Sequence, residues 1–161
     1  MGEQEQLVRR LQDANAALIE AVRSAPSAGW LHPVGDGDPR SAGTLAHHIG
    51  AGYEHGLDWA MSIQAKGLMP EISMASVNAE NAEHAAAFAY PPPAQVIAFL
   101  ETECAELCAF AMSLSDLELD AASSNFVMGR QWTPRDVFET TLNHTRRHHR
   151  QFVQAVTTAT A

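Results

Sequence analysis

TPRDVFETTLNHTRRHHRQFVQAVT, residues 133–157, is the stretch whose reading decides the fold. Thr133 can cap a helix, Pro134 suits its first position and Asp136 supplies an acid at the third. That combination meets the free amide donors of a helix start and pre-sets the backbone. At about 100° per residue, Val137, Thr141, His148, Gln151 and Ala155 all lie within about 60° of His144. A helix that turns this stripe inward carries His144 and His148 with it, one turn apart. His149 falls about 140° away, beside Arg146 and toward solvent.

A second histidine stripe lies upstream. Ser41 can cap a helix running to about Lys66, where Gly67 and Pro70 stop it. Gly43, Gly50, Gly52 and Gly56 each weaken such a helix by roughly 1 kcal/mol against alanine, so it needs close packing on a neighbour. Leu45, His48, Gly52, His55 and Trp59 share one side of it, whereas His47 falls about 100° off. Two further helices carry apolar stripes at three- and four-residue spacing. One spans 3–24, with Leu7, Leu11, Ala14, Leu18 and Ala21. The other spans about 94–114 behind Pro93, with Val96, Leu100, Cys104, Leu107 and Ala111. Residues 75–89 predict a shorter, alanine-rich helix, and Ser115 with Glu118 one capped turn. Residues 24–40, rich in proline and glycine, read as a loop. Residues 123–132 read as a short extended stretch or hairpin-like loop. No internal repeat interrupts the pattern. The expectation is one all-α domain over 1–161, an up-and-down four-helix bundle with one additional short helix.

Composition agrees. Of 161 residues 46% are hydrophobic and 18% charged, enough for a core and too little charge for disorder. Ten Lys and Arg against 19 Asp and Glu leave a net charge of -9, a field that argues against nucleic acid or an anionic membrane as partner. No apolar run approaches the roughly 18 residues of a membrane span. MGEQEQLVRRLQ, residues 1–12, has acids where a secretory signal would be basic, so a cytoplasmic protein is expected. Cys104 and Cys108 fall one helical turn apart in an apolar stripe and read as core.

The eight histidines are where the chemistry lies. His144 and His148 form an i, i+4 pair able to grip one cation, and His48 from a facing helix can complete a three-imidazole set. Three protein ligands leave a position open for water or substrate, as catalytic rather than closed zinc sites do. The same pattern also suits buried histidines satisfied by hydrogen bonds alone. His55 reads as a core residue and His32 and His84 as solvated ones. Glu54 and Asp58 flank the His48 stripe as surface acids able to orient an imidazole. Arg146, Arg147 and Arg150 form a local basic face, solvated, paired with acids, or walling an anion site. Tyr53, Glu54, Asn81 and Gln151 are the polar groups that could line a cavity over a metal. No GxSxG, P-loop, GxGxxG or HExxH is present, and no two helices carry the Glu-x-x-His pairs of a di-iron bundle.

Four segments, in order, resemble the DinB-like superfamily of helical-bundle metalloproteins. They are SAGTLAHHIGAGYEHGLDW (41–59), VNAENAEHAAAFA (77–89), LSDLELD (114–120) and LNHTRRHHRQF (142–152). The resemblance implies one divalent metal ion per chain, zinc or nickel, held by His48, His144 and His148, with Gln151 following the ligand pair. The adjacent His47 is the competing choice for the first ligand. It implies a homodimer and, from the better understood relatives, a transferase or isomerase that acts on a small molecule with a low-molecular-weight thiol as cosubstrate. A non-catalytic, metal-binding or stress-responsive dimeric bundle is the alternative. Imidazole serves several metals, so the residues do not name the ion.

Overall fold

In the computed structural model, which describes residues 2–161, the two histidine-bearing helices form as the spacing predicts. They are α3 (Ala42–Lys66) and α7 (Pro134–Thr158), joined in the bundle by α1 (Glu3–Ser24) and α5 (Pro93–Ser113). Ser41 Oγ accepts from the Thr44 amide at 3.0 Å to start α3, and Gly67 ends it at φ 66°, donating its amide to Ile63 O. Only glycine adopts that left-handed turn without a Cβ penalty. Thr133 and Asp136 exchange side-chain and backbone hydrogen bonds at the start of α7, 3.0 and 2.9 Å long.

The packing circuit is α1–α5–α3–α7, so the consecutive long helices α1 and α3, and likewise α5 and α7, sit on diagonals. Two long connections, residues 25–41 and 114–133, make this circuit possible. The first was expected to be loop alone. It instead holds α2 (Ser27–Leu31) and a hairpin of β1 (Pro33–Gly35) and β2 (Asp38–Ser41). The physical signal is Asp36-Gly37, with Gly37 at φ 85°, a turn pair suited to joining antiparallel strands. Extra helical pieces therefore number three: α2, α4 (Met74–Ala87) and α6 (Asp116–Leu119), the last capped by Ser115 and Glu118 as their spacing suggests. Residues 123–132 form a tight turn held by a Val127–Arg130 bridge.

The core lies between the four long helices. Leu11 and Leu18 of α1, Leu100 and Leu107 of α5, Leu45 and Ile49 of α3 and Phe138 and Phe152 of α7 are all fully buried. Truncating one such leucine to alanine removes about 2–5 kcal/mol. A polar brace crosses this core: Asn15 Nδ2 donates to Leu100 O, and its Oδ1 accepts from Tyr53 OH, each at 3.2 Å. Tyr53 is thus a core strut, not the cavity-lining residue the sequence suggested. Cys104 and Cys108 are buried free thiols, Sγ atoms 3.9 Å apart.

The glycines of α3 have a packing reason. A Cβ on Gly43 would meet the Trp30 ring at 2.5 Å, on Gly50 the Phe99 ring at 2.6 Å and on Gly56 Thr141 Oγ1 at 2.5 Å. One on Gly52 would meet the His144 ring at 2.8 Å. The cost of four helical glycines is what lets α5 and α7 approach α3, and at Gly52 it makes room for an imidazole. Among the described residues no helix is long and apolar enough to cross a membrane.

Candidate metal centre

His48, His144 and His148 converge between α3 and α7. Each offers a ring nitrogen, and the three lie within 4.8 Å of one another. His48 Nε2 and His144 Nε2 are 3.0 Å apart, near the ~3.3 Å that two imidazole nitrogens adopt around one tetrahedral ion at the usual metal–nitrogen length. His47, one residue earlier, points 100° away and takes no part.

The tautomer of His148 is set locally. Its Nδ1 lies 2.5 Å from Gln151 Oε1, an atom that only accepts, so Nδ1 carries the proton and Nε2 is left unprotonated, facing Arg147 Nη2 at 3.4 Å. This is the outer hydrogen bond that orients a ligating imidazole. Replacing Gln151 with alanine is expected to weaken metal binding by about 10–100-fold without unfolding the chain, as titration with a competing chelator would report.

All three rings are held neutral, the form that binds a cation. Burial, with the neighbouring imidazoles second, pushes His48 down to about 2 and His144 down to about 3. Burial likewise lowers His148, opposed by its bond to Gln151. His144 Nδ1 is buried against Gly52 with no hydrogen-bond partner. Three clustered neutral imidazoles, one with an unanswered nitrogen, are poorly explained as a hydrogen-bonded core trio. They fit a site that a cation completes.

The cluster forms the floor of a cavity of about 270 Å³. Gly52, His55 and Trp59 of α3 form one wall, Thr140, Thr141 and Arg147 of α7 another, and Val77, Glu80 and Asn81 of α4 a third. Arg40, from β2, closes the fourth side, its guanidinium gripped by both Asp38 carboxylate oxygens at 2.7–3.2 Å. That bond holds Asp38 below its usual carboxylate range, burial opposing.

Several expected placements change. His55 is not a core residue: it is exposed at the cavity mouth, stacked on Trp59 and 3.9 Å from Glu80. His84 is not solvated. Its Nε2 lies 2.8 Å from His47 Nδ1, and burial pushes it down to about 4. His47 is itself stacked between Phe88 and Phe99 in a separate cleft, where Glu54 also lies. Glu54 therefore does not line the metal cavity, whereas Asn81 does. Glu54 and Asp58 are exposed, and His32 is half-buried, hydrogen-bonded beside Pro33 O. Arg40 was missed because its contribution depends on the hairpin, which the loop reading hid.

Fold and site together define a helical-bundle protein with an open three-histidine cluster on two facing helices. A family model for the DinB superfamily matches residues 4–152, and the chain belongs to that superfamily. No curated protein matches the chain significantly, and no solved structure does.

Proposed function

We propose that this protein binds one divalent metal ion, zinc or nickel, and uses it to transfer a low-molecular-weight thiol onto small electrophiles. The observation that carries the reading is the open cluster: three neutral imidazoles on one side, and on the other a cavity large enough for a small molecule. A divalent ion bound there supplies Lewis-acid charge that favours the ionised form of a thiol. The chain's own part is positioning and exclusion of water. Gln151 fixes His148, Gly52 gives His144 its place, and Trp59 and Val77 present apolar surface to the electrophile. The amide of Asn81 and the hydroxyls of Thr140 and Thr141 are the polar groups in reach of a cosubstrate. The sulfur forms a bond to the electrophilic carbon as the leaving group departs with its electron pair, and the thiol proton passes to water.

Turnover of an aryl halide and a set of thiols by metal-loaded protein tests this. The expected result is thioether formation that vanishes on chelation and returns with added metal. Full metal occupancy with no turnover across the thiols would assign the site to stabilisation of a non-catalytic bundle. A homodimer belongs to the same reading, supported by the exposed apolar side chains of Leu117, Phe126 and Met128, and sedimentation at graded concentrations checks it.

A further inference from the structure

The chain holds nine arginines against its excess of acids. Arg10, Arg23, Arg40, Arg130 and Arg135 each sit in an ion pair with a carboxylate. Among the described residues Arg9 of α1 and Arg146, Arg147 and Arg150 of α7 have no ion pair, and the last three are exposed together on one stretch of that helix. In a protein of net charge -9, unanswered positive charge has thus gathered next to the histidine cluster. The three arginines line an open cleft with Thr140, Asn143 and His144. That cleft shares Thr140, His144 and Arg147 with the cavity over the cluster, so the two are continuous.

Arg147 is the telling residue. Its Nη2 lies 3.4 Å from His148 Nε2, the unprotonated nitrogen of that ring. A guanidinium and a divalent cation beside the same imidazole repel each other unless an anion lies between them. Of the other charged groups of the cavity, Arg40 is answered by Asp38, and Glu80 stands on the opposite wall, on α4, 3.9 Å from His55. On its α7 side the cavity and the cleft beside it hold arginines and no carboxylate. Guanidinium forks match carboxylates bidentately, and three of them in one open cleft suit more than one such group.

We propose that the small molecule taken at the histidine cluster carries a pair of carboxylates besides its reactive group, read by Arg147 together with Arg146 and Arg150. For the identity of the reactive group, a thiol, this rests on the function proposed above; the anion recognition does not.

Calorimetry on zinc-loaded protein tests it with three probes: mercaptosuccinate, which has a thiol and two carboxylates, 2-mercaptoethanol, which has the thiol alone, and succinate, which has the carboxylates alone. Mercaptosuccinate is expected to bind at least roughly tenfold tighter than 2-mercaptoethanol, with the advantage shrinking as salt is raised. In Arg147→Gln the advantage falls, and in the triple variant R146Q/R147Q/R150Q the two thiols bind within about twofold of each other. Zinc content and far-ultraviolet circular dichroism of each variant separate lost recognition from lost metal or lost fold. Equal affinity for the two thiols in the unmodified protein overturns the inference, as does an advantage that survives the triple variant. If succinate binds as tightly as mercaptosuccinate and the arginine variants lose both, the anion site stands and the thiol reading fails. If 2-mercaptoethanol binds and added carboxylates bring nothing, the thiol reading stands and this inference fails.

Discussion

His144→Ala protein is expected to emerge from purification without the divalent ion proposed for the unsubstituted chain, while keeping its helical content. The ring it loses supplies one of three donors gathered within 4.8 Å. Two remaining imidazoles, His48 and His148, sit on different helices and no longer share a preformed set. Affinity should fall by more than the ~10–100-fold that loss of an outer hydrogen-bond partner costs, on the order of 10³-fold. Folding should survive, because the substitution also removes a buried ring nitrogen that has no partner. His149→Ala is the matched control: it lies one residue from His148 on the same helix, outside the cluster, and should retain the metal. Elemental analysis of the two proteins, purified side by side without an affinity tag, reads the difference. Metal retained at full occupancy in His144→Ala would remove that residue from the ligand set.

The metal-free protein is expected to lose stability steeply below pH 6.5. His48 is held down to about 2 and His144 down to about 3 in the folded chain, against an ordinary value of 6.5. Both are therefore neutral when folded and become charged when the chain unfolds in mild acid. The unfolded state then binds more protons, so stability falls as pH falls. The contribution is complete above 6.5 and drains away as the pH drops toward 3. By pH 4.5 each ring costs about 2–3 kcal/mol, and the pair together about 5, comparable with the whole stability of many domains. Urea midpoints measured between pH 7.5 and 4.5 would show the slope, and His144→Ala should make it shallower without abolishing it, since His48, His84 and His148 are also held below their ordinary value. Bound metal should raise the curve at neutral pH, since only the folded chain presents the cluster. A flat profile in the metal-free protein would mean that the rings are not held neutral by their surroundings.

The architecture was readable where local chemistry and periodicity agree. Thr133-Pro134 and Ser41 start the histidine-bearing helices where their capping chemistry suggests, and the facing stripes bring His48 to His144 and His148. Angular arithmetic on α3 favoured His48 over His47, because a rigid helix turns one residue into a 100° difference of direction, and the cluster forms around His48. The glycines of α3 were legible as a demand for close packing, though not as a seat for His144. What failed depended on contacts between distant segments. His84 sits on a short alanine-rich helix whose own sequence looks solvated, and its partner His47 lies 37 residues away. Arg40 reaches the cavity only because Asp36-Gly37 reverses the chain, and Tyr53 became a core strut because Asn15 of another helix offers it an acceptor. His55 was placed in the core because it shares a side with His48, but two turns along that helix this side opens onto the cavity mouth, where the ring stacks on Trp59.

The cavity's walls differ in what they cost the molecule. The histidines stand on α3 and α7, whose inner faces are the core itself. The wall formed by α4 contains not one buried residue. Substitutions at Val77, Glu80 or Asn81 can therefore reshape what enters the cavity while leaving the stability of the bundle almost untouched. One pocket thus joins two kinds of surface: a floor where packing and chemistry constrain the same residues, and a wall on which the packing of the core does not depend.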